Sequence, residues 1–204
     1  MRVSPGNFKR FVYFIAVLAV LSYAIVTTLN LLFRTYWGPL PSWVETPSVI
    51  GVLVFLYGMF NSYLWHWPIF RWVRIVDFPD LRGRWSGTIT SSWKTGPSAA
   101  VLEIVQTASS IRVALYALES HSESRTADFE IRGDGRPMLH YIYESIPKSA
   151  AASTMERHEG TAALTYFSDK RLLEGGYYTG RGRQSQGDMT FYFKERKLYG
   201  RFFQ

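Results

Sequence analysis

The residues to weigh first are those able to do acid–base, metal or nucleophilic chemistry. Histidine occurs at 66, 121, 140 and 158, and no two of these have metal-ligand spacing along one helix or strand. "ERHEG" at 156–160 lacks the second histidine of a zinc-protease helix. There is no Gly-x-Ser-x-Gly elbow and no Gly-x-x-x-x-Gly-Lys phosphate loop. Cysteine is absent, which removes disulfides, thiolate catalysis and sulfur-ligated metal. The expectation is a protein that is not an enzyme, with no metal and no cofactor.

The residue types that do recur suit binding. Tyr141, Tyr143, Tyr166 and Tyr178 offer rings that stack and hydroxyls that hydrogen-bond. Arg112, Arg125, Arg132, Arg136 and Arg157 are interleaved with them, but most have acids close by, as "DFEIRGDGR" illustrates, and read as solvated surface. Arg181 and Arg183 in "GRGRQSQG" have no acid near them before Asp188 and are the better partners for phosphate oxygens. The six candidate ligand-binding residues are therefore Tyr141, Tyr143, Tyr166, Tyr178, Arg181 and Arg183, suited to a small anionic aromatic ligand.

Strands must position them. Beyond Asp77 the pattern is one of short alternating runs separated by Gly, Ser, Asp and Pro. Strands are expected at 84–93, 99–106, 111–119, 125–132, 137–145, 158–167, 172–180 and 188–195. Eight strands with mostly hairpin-length turns predict an up-and-down antiparallel barrel, lipocalin-like in layout, which leaves no open edge and has room for one small ligand. An immunoglobulin-like sandwich is the rival arrangement. Glu103 faces out by alternation, which turns Leu102, Ile104 and Gln106 inward; Phe129, Ile131, Leu164, Tyr166, Met189, Phe191 and Phe193 are also expected inward. In 137–145, Tyr141 and Tyr143 share one face and His140 and Ile142 the other, and alternation alone does not say which is inside. Gly83-x-Trp85 opens the first strand, where an indole closes one end of a lipocalin-like barrel; Arg201, or Arg196, is the expected cation stacked on it.

The segment ahead of the barrel has a different character. Residues 1–74 carry six Lys/Arg against one acid, so +5 of the formal +7 lies there and only +2 in residues 75–204. A duplex binder would gather its excess cations on the domain that docks, so DNA and RNA duplexes are not expected partners. Phe11 to Phe33 is 23 residues without a charge, a helix of about 35 Å. Val49 to Phe70 is a second charge-free run, followed by Arg71, Trp72 and Arg74. The first is too long for a signal peptide. The expected domains are a two-span membrane region at 1–74, with spans 11–33 and 49–70, and a ligand-sensing barrel at 75–204. Three cations precede the first span and two follow the second, against one between them, which sets both termini in the cytoplasm of a multi-pass inner-membrane protein. Gly51 and Gly58, one heptad apart, offer a face for packing between spans or between copies.

Two N-terminal spans followed by a barrel that begins "LRGRWSG" at 81–87 resemble the two-transmembrane, β-rich effectors of CBASS, the cyclic-oligonucleotide-based anti-phage signalling systems of bacteria. The resemblance implies a barrel that binds a cyclic dinucleotide made by a partner cyclic-nucleotide synthase, a CD-NTase. It also implies ligand-driven homo-oligomerisation of the spans in the lipid bilayer, disruption of the inner membrane and cell death. A membrane-tethered lipid binder and a ligand-free scaffold are the alternatives.

Overall fold

A computed structural model of the chain describes residues 5–38, 45–92, 94–147, 157–180 and 184–202. The chain divides into two compact units, one running up to Asp77 and one beginning at Phe78.

The first unit is helical. α1 (Pro5–Trp37) is a single unbroken helix, as a long charge-free run of helix-compatible residues requires. Phe14, Leu18, Ser22 and Val26, four residues apart, form its one buried stripe, and Ser22 donates to the Leu18 carbonyl rather than breaking the apolar seam. Val20, Tyr23 and Leu31 on its other faces are exposed, a distribution suited to a hydrocarbon surround rather than to water. Among the described residues α1 is the helix long and apolar enough to cross a membrane, over Lys9–Tyr36.

The expected second span is shorter than the sequence suggests. α2 (Glu45–Met59) runs on into a π-helical turn, Phe60–Leu64, and stops there. Trp67 is extended, at φ −66° and ψ 143°, because the ring of Pro68 disfavours the helical region for the residue before it. Pro68 then opens the short α3 (Pro68–Trp72). The uncharged run to Phe70 is thus interrupted, and its continuous apolar helix is Val49–Leu64. Aromatic contacts knit the helices: the Phe14 and Phe60 ring centroids are 4.4 Å apart, and Phe60 and Phe70 meet edge to face at 5.0 Å.

The second unit is a closed barrel of eight antiparallel strands in sequential order: β1 (Gly83–Ser91), β2 (Lys94–Gln106), β3 (Ile111–Ala117), β4 (Ser120–Ile131), β5 (Pro137–Pro147), β6 (His158–Phe167), β7 (Leu172–Thr179) and β8 (Gln186–Glu195). β8 pairs with β1, so every strand has two neighbours. The sandwich is excluded. β2 and β4 each begin five residues earlier than expected, and a bulge between Ser124 and Thr126 lets β4 continue through Arg125.

The interior is divided along the barrel axis. At one end Leu102, Ile104, Val113, Leu139, Leu164, Leu173 and Phe191 fill the cross-section and are buried. Leu81 and Trp85 cap them: the indole Nε1 donates to the Leu81 carbonyl at 2.9 Å. Gln106, inward as expected, accepts from Leu81 N and donates to the Pro79 carbonyl, both at 2.9 Å, sealing the chain onto the barrel floor. Gly83 has φ +123°, and a Cβ there would lie 2.5 Å from the Glu195 carbonyl oxygen; the glycine of Gly-x-Trp is what lets β1 pass β8 at this corner. The cations here stack one ring away from the expected place. Arg171 and Arg196 lie over Phe193, 3.8 and 5.4 Å from its centroid, and Phe193 stands edge-on to Trp85 at 5.3 Å. Arg201, assigned to the indole by sequence, has an exposed side chain and offers its carbonyl to Arg84 instead.

One inward assignment changes: Ile131, at the end of β4, is 46% exposed. Phe129 faces inward as expected, opposite Leu139 and packed on the core, and also stacks on Phe78 at 5.6 Å. Glu103 faces outward as expected but is not in solvent, because the C-terminal segment covers it.

Candidate ligand cavity

At the end away from Trp85 the inward residues no longer fill the barrel. They leave a cavity of about 280 Å³ that opens at the rim formed by the β1–β2, β3–β4, β5–β6 and β7–β8 ends. Alternation places its lining. In β5 the ambiguity resolves with Tyr141 and Tyr143 inward and His140 and Ile142 outward. The two tyrosine rings are 6.0 Å apart and tilted by 52°, and the Tyr141 hydroxyl points to Met189 Sδ at 3.7 Å. Burial, with a lesser contribution from Tyr143, pushes the Tyr141 phenol well above its ordinary value, so it is a neutral donor at any physiological pH. Gly160, directly across from Tyr143 in β6, makes room for that ring: a Cβ at 160 would fall onto it.

The remaining lining is rich in hydroxyl groups. Ser91, Ser98, Ser120, Ser122, Ser145, Thr179 and Ser185 line the cavity together with Tyr177, and Glu119 and His158 join at the rim. Thr179 and Ser185 tie the feet of the β7–β8 turn together. Thr179 N donates to the Ser185 carbonyl and Ser185 N to Thr179 Oγ1, each at 2.8 Å. Ile89, Leu115, Leu118 and Met189 make up an apolar share of the same wall, so the cavity offers hydroxyl donors and acceptors beside apolar and aromatic faces, an arrangement able to hold a ligand that both stacks and hydrogen-bonds.

The sequence-predicted residues distribute unevenly. Tyr141 and Tyr143 line the cavity. Tyr166 is half-buried at the opposite end, edge-on to Trp85 at 6.1 Å, and belongs to the floor. Tyr178 is 60% exposed on the outer wall; its neighbour Tyr177 takes the inward place, because Leu173, Gly175, Tyr177 and Thr179 share one parity in β7. Arg181 and Arg183 lie outside the described residues. Arg125 and Arg157 are held on the outer wall by Glu144, whose carboxyl these two hydrogen bonds, Arg157 first, lower to about 2. Arg136 pairs with Asp134 and lies over Phe167 at 5.1 Å. Among the described residues no three His, Asp or Glu gather in a metal-binding cluster.

The serines escaped sequence reasoning because serine next to a turn reads as turn. The signal was the two-residue spacing of Ser120, Ser122 and Ser124, which is strand alternation.

Residues 76–192, spanning the barrel except the last three residues of β8, match the Cap15 cyclic dinucleotide receptor domain. The chain belongs to the Cap15 receptor family. A curated relative, CD-NTase-associated protein 15 of Yersinia aleksiciae, is 32% identical over 145 residues, which cover 70% of this chain and 68% of that protein. The Cap15 match agrees with the likeness to CBASS effectors carried by residues 81–87, and it covers all eight strands up to Tyr192 in β8.

Proposed function

We propose that this chain is a CBASS effector whose barrel binds a cyclic dinucleotide in the hydroxyl- and tyrosine-lined cavity, acting by binding rather than catalysis. The observation that carries the reading is that cavity, open at one end of a barrel otherwise packed solid, within a segment matched by a cyclic dinucleotide receptor domain. Tyr143 and Tyr177 supply ring faces, the serines hydrogen-bond the sugar-phosphate ring, and Arg181 and Arg183, which fall between Thr179 and Ser185 in the sequence, neutralise phosphate charge. An open cavity disfavours the ligand-free scaffold, and the hydroxyl groups among its apolar residues favour a ligand that hydrogen-bonds over a bare acyl chain.

In this reading α1 and the Val49–Leu64 helix anchor the protein in the bacterial inner membrane with both termini inside, where a soluble messenger from a partner CD-NTase reaches the barrel. Ligand favours an assembled state because it binds that state more tightly, and assembly of the spans breaches the membrane and kills the infected cell. Gly51 and Gly58 have open space around their Cβ positions, which leaves that face available to a second copy. Calorimetry on residues 76–204 with cyclic dinucleotides, using the linear dinucleotides as controls, tests the binding step. Saturable binding of a cyclic species alone is expected, and heat-silent titrations across all cyclic species would end the proposal.

A further inference from the structure

β8 ends at the barrel floor, and the chain then doubles back over the outer wall as a strap. Tyr199 N and Gly200 N donate to the two carboxylate oxygens of Glu103, at 2.9 and 3.0 Å. Arg84 Nη1 donates to Glu103 Oε1 at 2.5 Å and to the Arg201 carbonyl at 3.0 Å, and its guanidinium lies over the Tyr199 ring. Arg84 and Glu103 are outward-facing residues that would sit in water on a bare barrel, yet each side chain is only 5% exposed. Val101, outward by the same alternation, is covered too.

A buried ion pair is a poor source of net stability, because desolvating both charges offsets their attraction. Its use here is positional: charge-assisted hydrogen bonds hold the backbone of three consecutive residues in one place. The next residue is Phe202, and Phe202 is part of the lining of the cavity.

We propose that Phe202 is a ligand-contacting residue, its ring stacking on one base of the bound cyclic dinucleotide, and that the Arg84–Glu103 clamp is the device that holds it at the rim. The inference rests on the reading of the cavity as a cyclic dinucleotide site. Two observations favour it. A volume of about 280 Å³ is at the small end for a ligand of this class, so part of the ligand projects past the rim, where the strap delivers a ring. The strap also gives the rim an aromatic face from outside the barrel wall, opposite in origin to Tyr143 and Tyr177, which come from the strands.

The test titrates the full-length chain in detergent micelles with cyclic di-AMP, cyclic di-GMP, cyclic di-UMP and cyclic UMP–AMP, and follows the tightest-binding species. Phe202→Ala is expected to weaken binding by about ten-fold or more, the scale of one lost base–aromatic stack. Phe202→Trp restores it and Phe202→Leu, which keeps the apolar bulk, does not. Glu103→Gln weakens binding as well, and adding it to Phe202→Ala has no further effect on affinity, since the clamp acts through the ring. If Glu103→Gln does not fold, the Ala, Leu and Trp series still decides. Wild-type affinity in Phe202→Ala, or equal affinity for Leu and Trp, overturns the role of Phe202 while leaving the cavity assignment standing. A wild-type chain that binds none of the four brings down both.

Discussion

Trp85 carries the floor of the barrel. Its indole is buried, bonded to the Leu81 carbonyl and held between Phe193 and Tyr166, with no space for water to replace it. Trp85→Ala should lower unfolding free energy by about 3–5 kcal/mol, read from denaturant melts of the barrel. A change below about 1 kcal/mol would mean that the floor is not a packed unit. Tyr141 is nearly as enclosed, so its truncation mixes lost stability with lost binding; Tyr177 and Phe202, less buried, are the cleaner sites for binding mutants. At this scale the sequence was legible where chemistry is local. Gly83 and Trp85 declared their place at the floor by spacing, whereas alternation put Tyr141 and Tyr143 on one face without saying that it is the inner one. Tyr178 was misplaced because two adjacent tyrosines in β7 cannot both face inward, and only the register with Thr161 and Gln186 says which does.

At the scale of elements, eight strands were visible as eight alternating runs, β6 with both its ends, whereas the starts of β2 and β4 were not. β4 begins at Ser120 because a bulge restores its parity after Arg125, and a bulge leaves no mark in hydropathy. The second apolar run was legible as a helix but not as an interrupted one, although Pro68 was in plain view. The ion pairs joining elements make an acid-stability prediction. Burial alone would raise Asp80, but the hydrogen bond from Arg82 and the charges of Arg196 and Arg82 outweigh it and leave the carboxyl below its ordinary 3.8. Glu144 lies near 2 against an ordinary 4.5. Both groups bind protons more readily in the unfolded chain, so their contribution is complete above about pH 4.5 and is lost as pH falls toward 2. Thermal midpoints measured from pH 5 down to pH 2 should decline. Glu144→Gln should flatten the decline; an unchanged slope would show that Arg125 and Arg157 do not hold this carboxylate in solution.

For the whole molecule, the charge contrast between residues 1–74 and 75–204 was the strongest signal in the sequence, since lipid and water select for it independently of any fold. Self-assembly and topology are matters of this scale. Ligand addition to the full chain in micelles should raise its mass by light scattering or ultracentrifugation. Gly58→Leu, which fills open space on α2, should suppress that rise without altering ligand affinity. A mass that never responds to a ligand that binds would overturn the proposed ligand-driven assembly.

Because β8 hydrogen-bonds back to β1, the barrel presents no free backbone row on which another chain can grow a strand. Any barrel-to-barrel contact between copies would thereby be confined to side chains. Such contacts are individually replaceable and come apart on dilution, unlike the cross-β stacks that lock irreversibly. An assembly built on them would come apart once whatever drives it is removed.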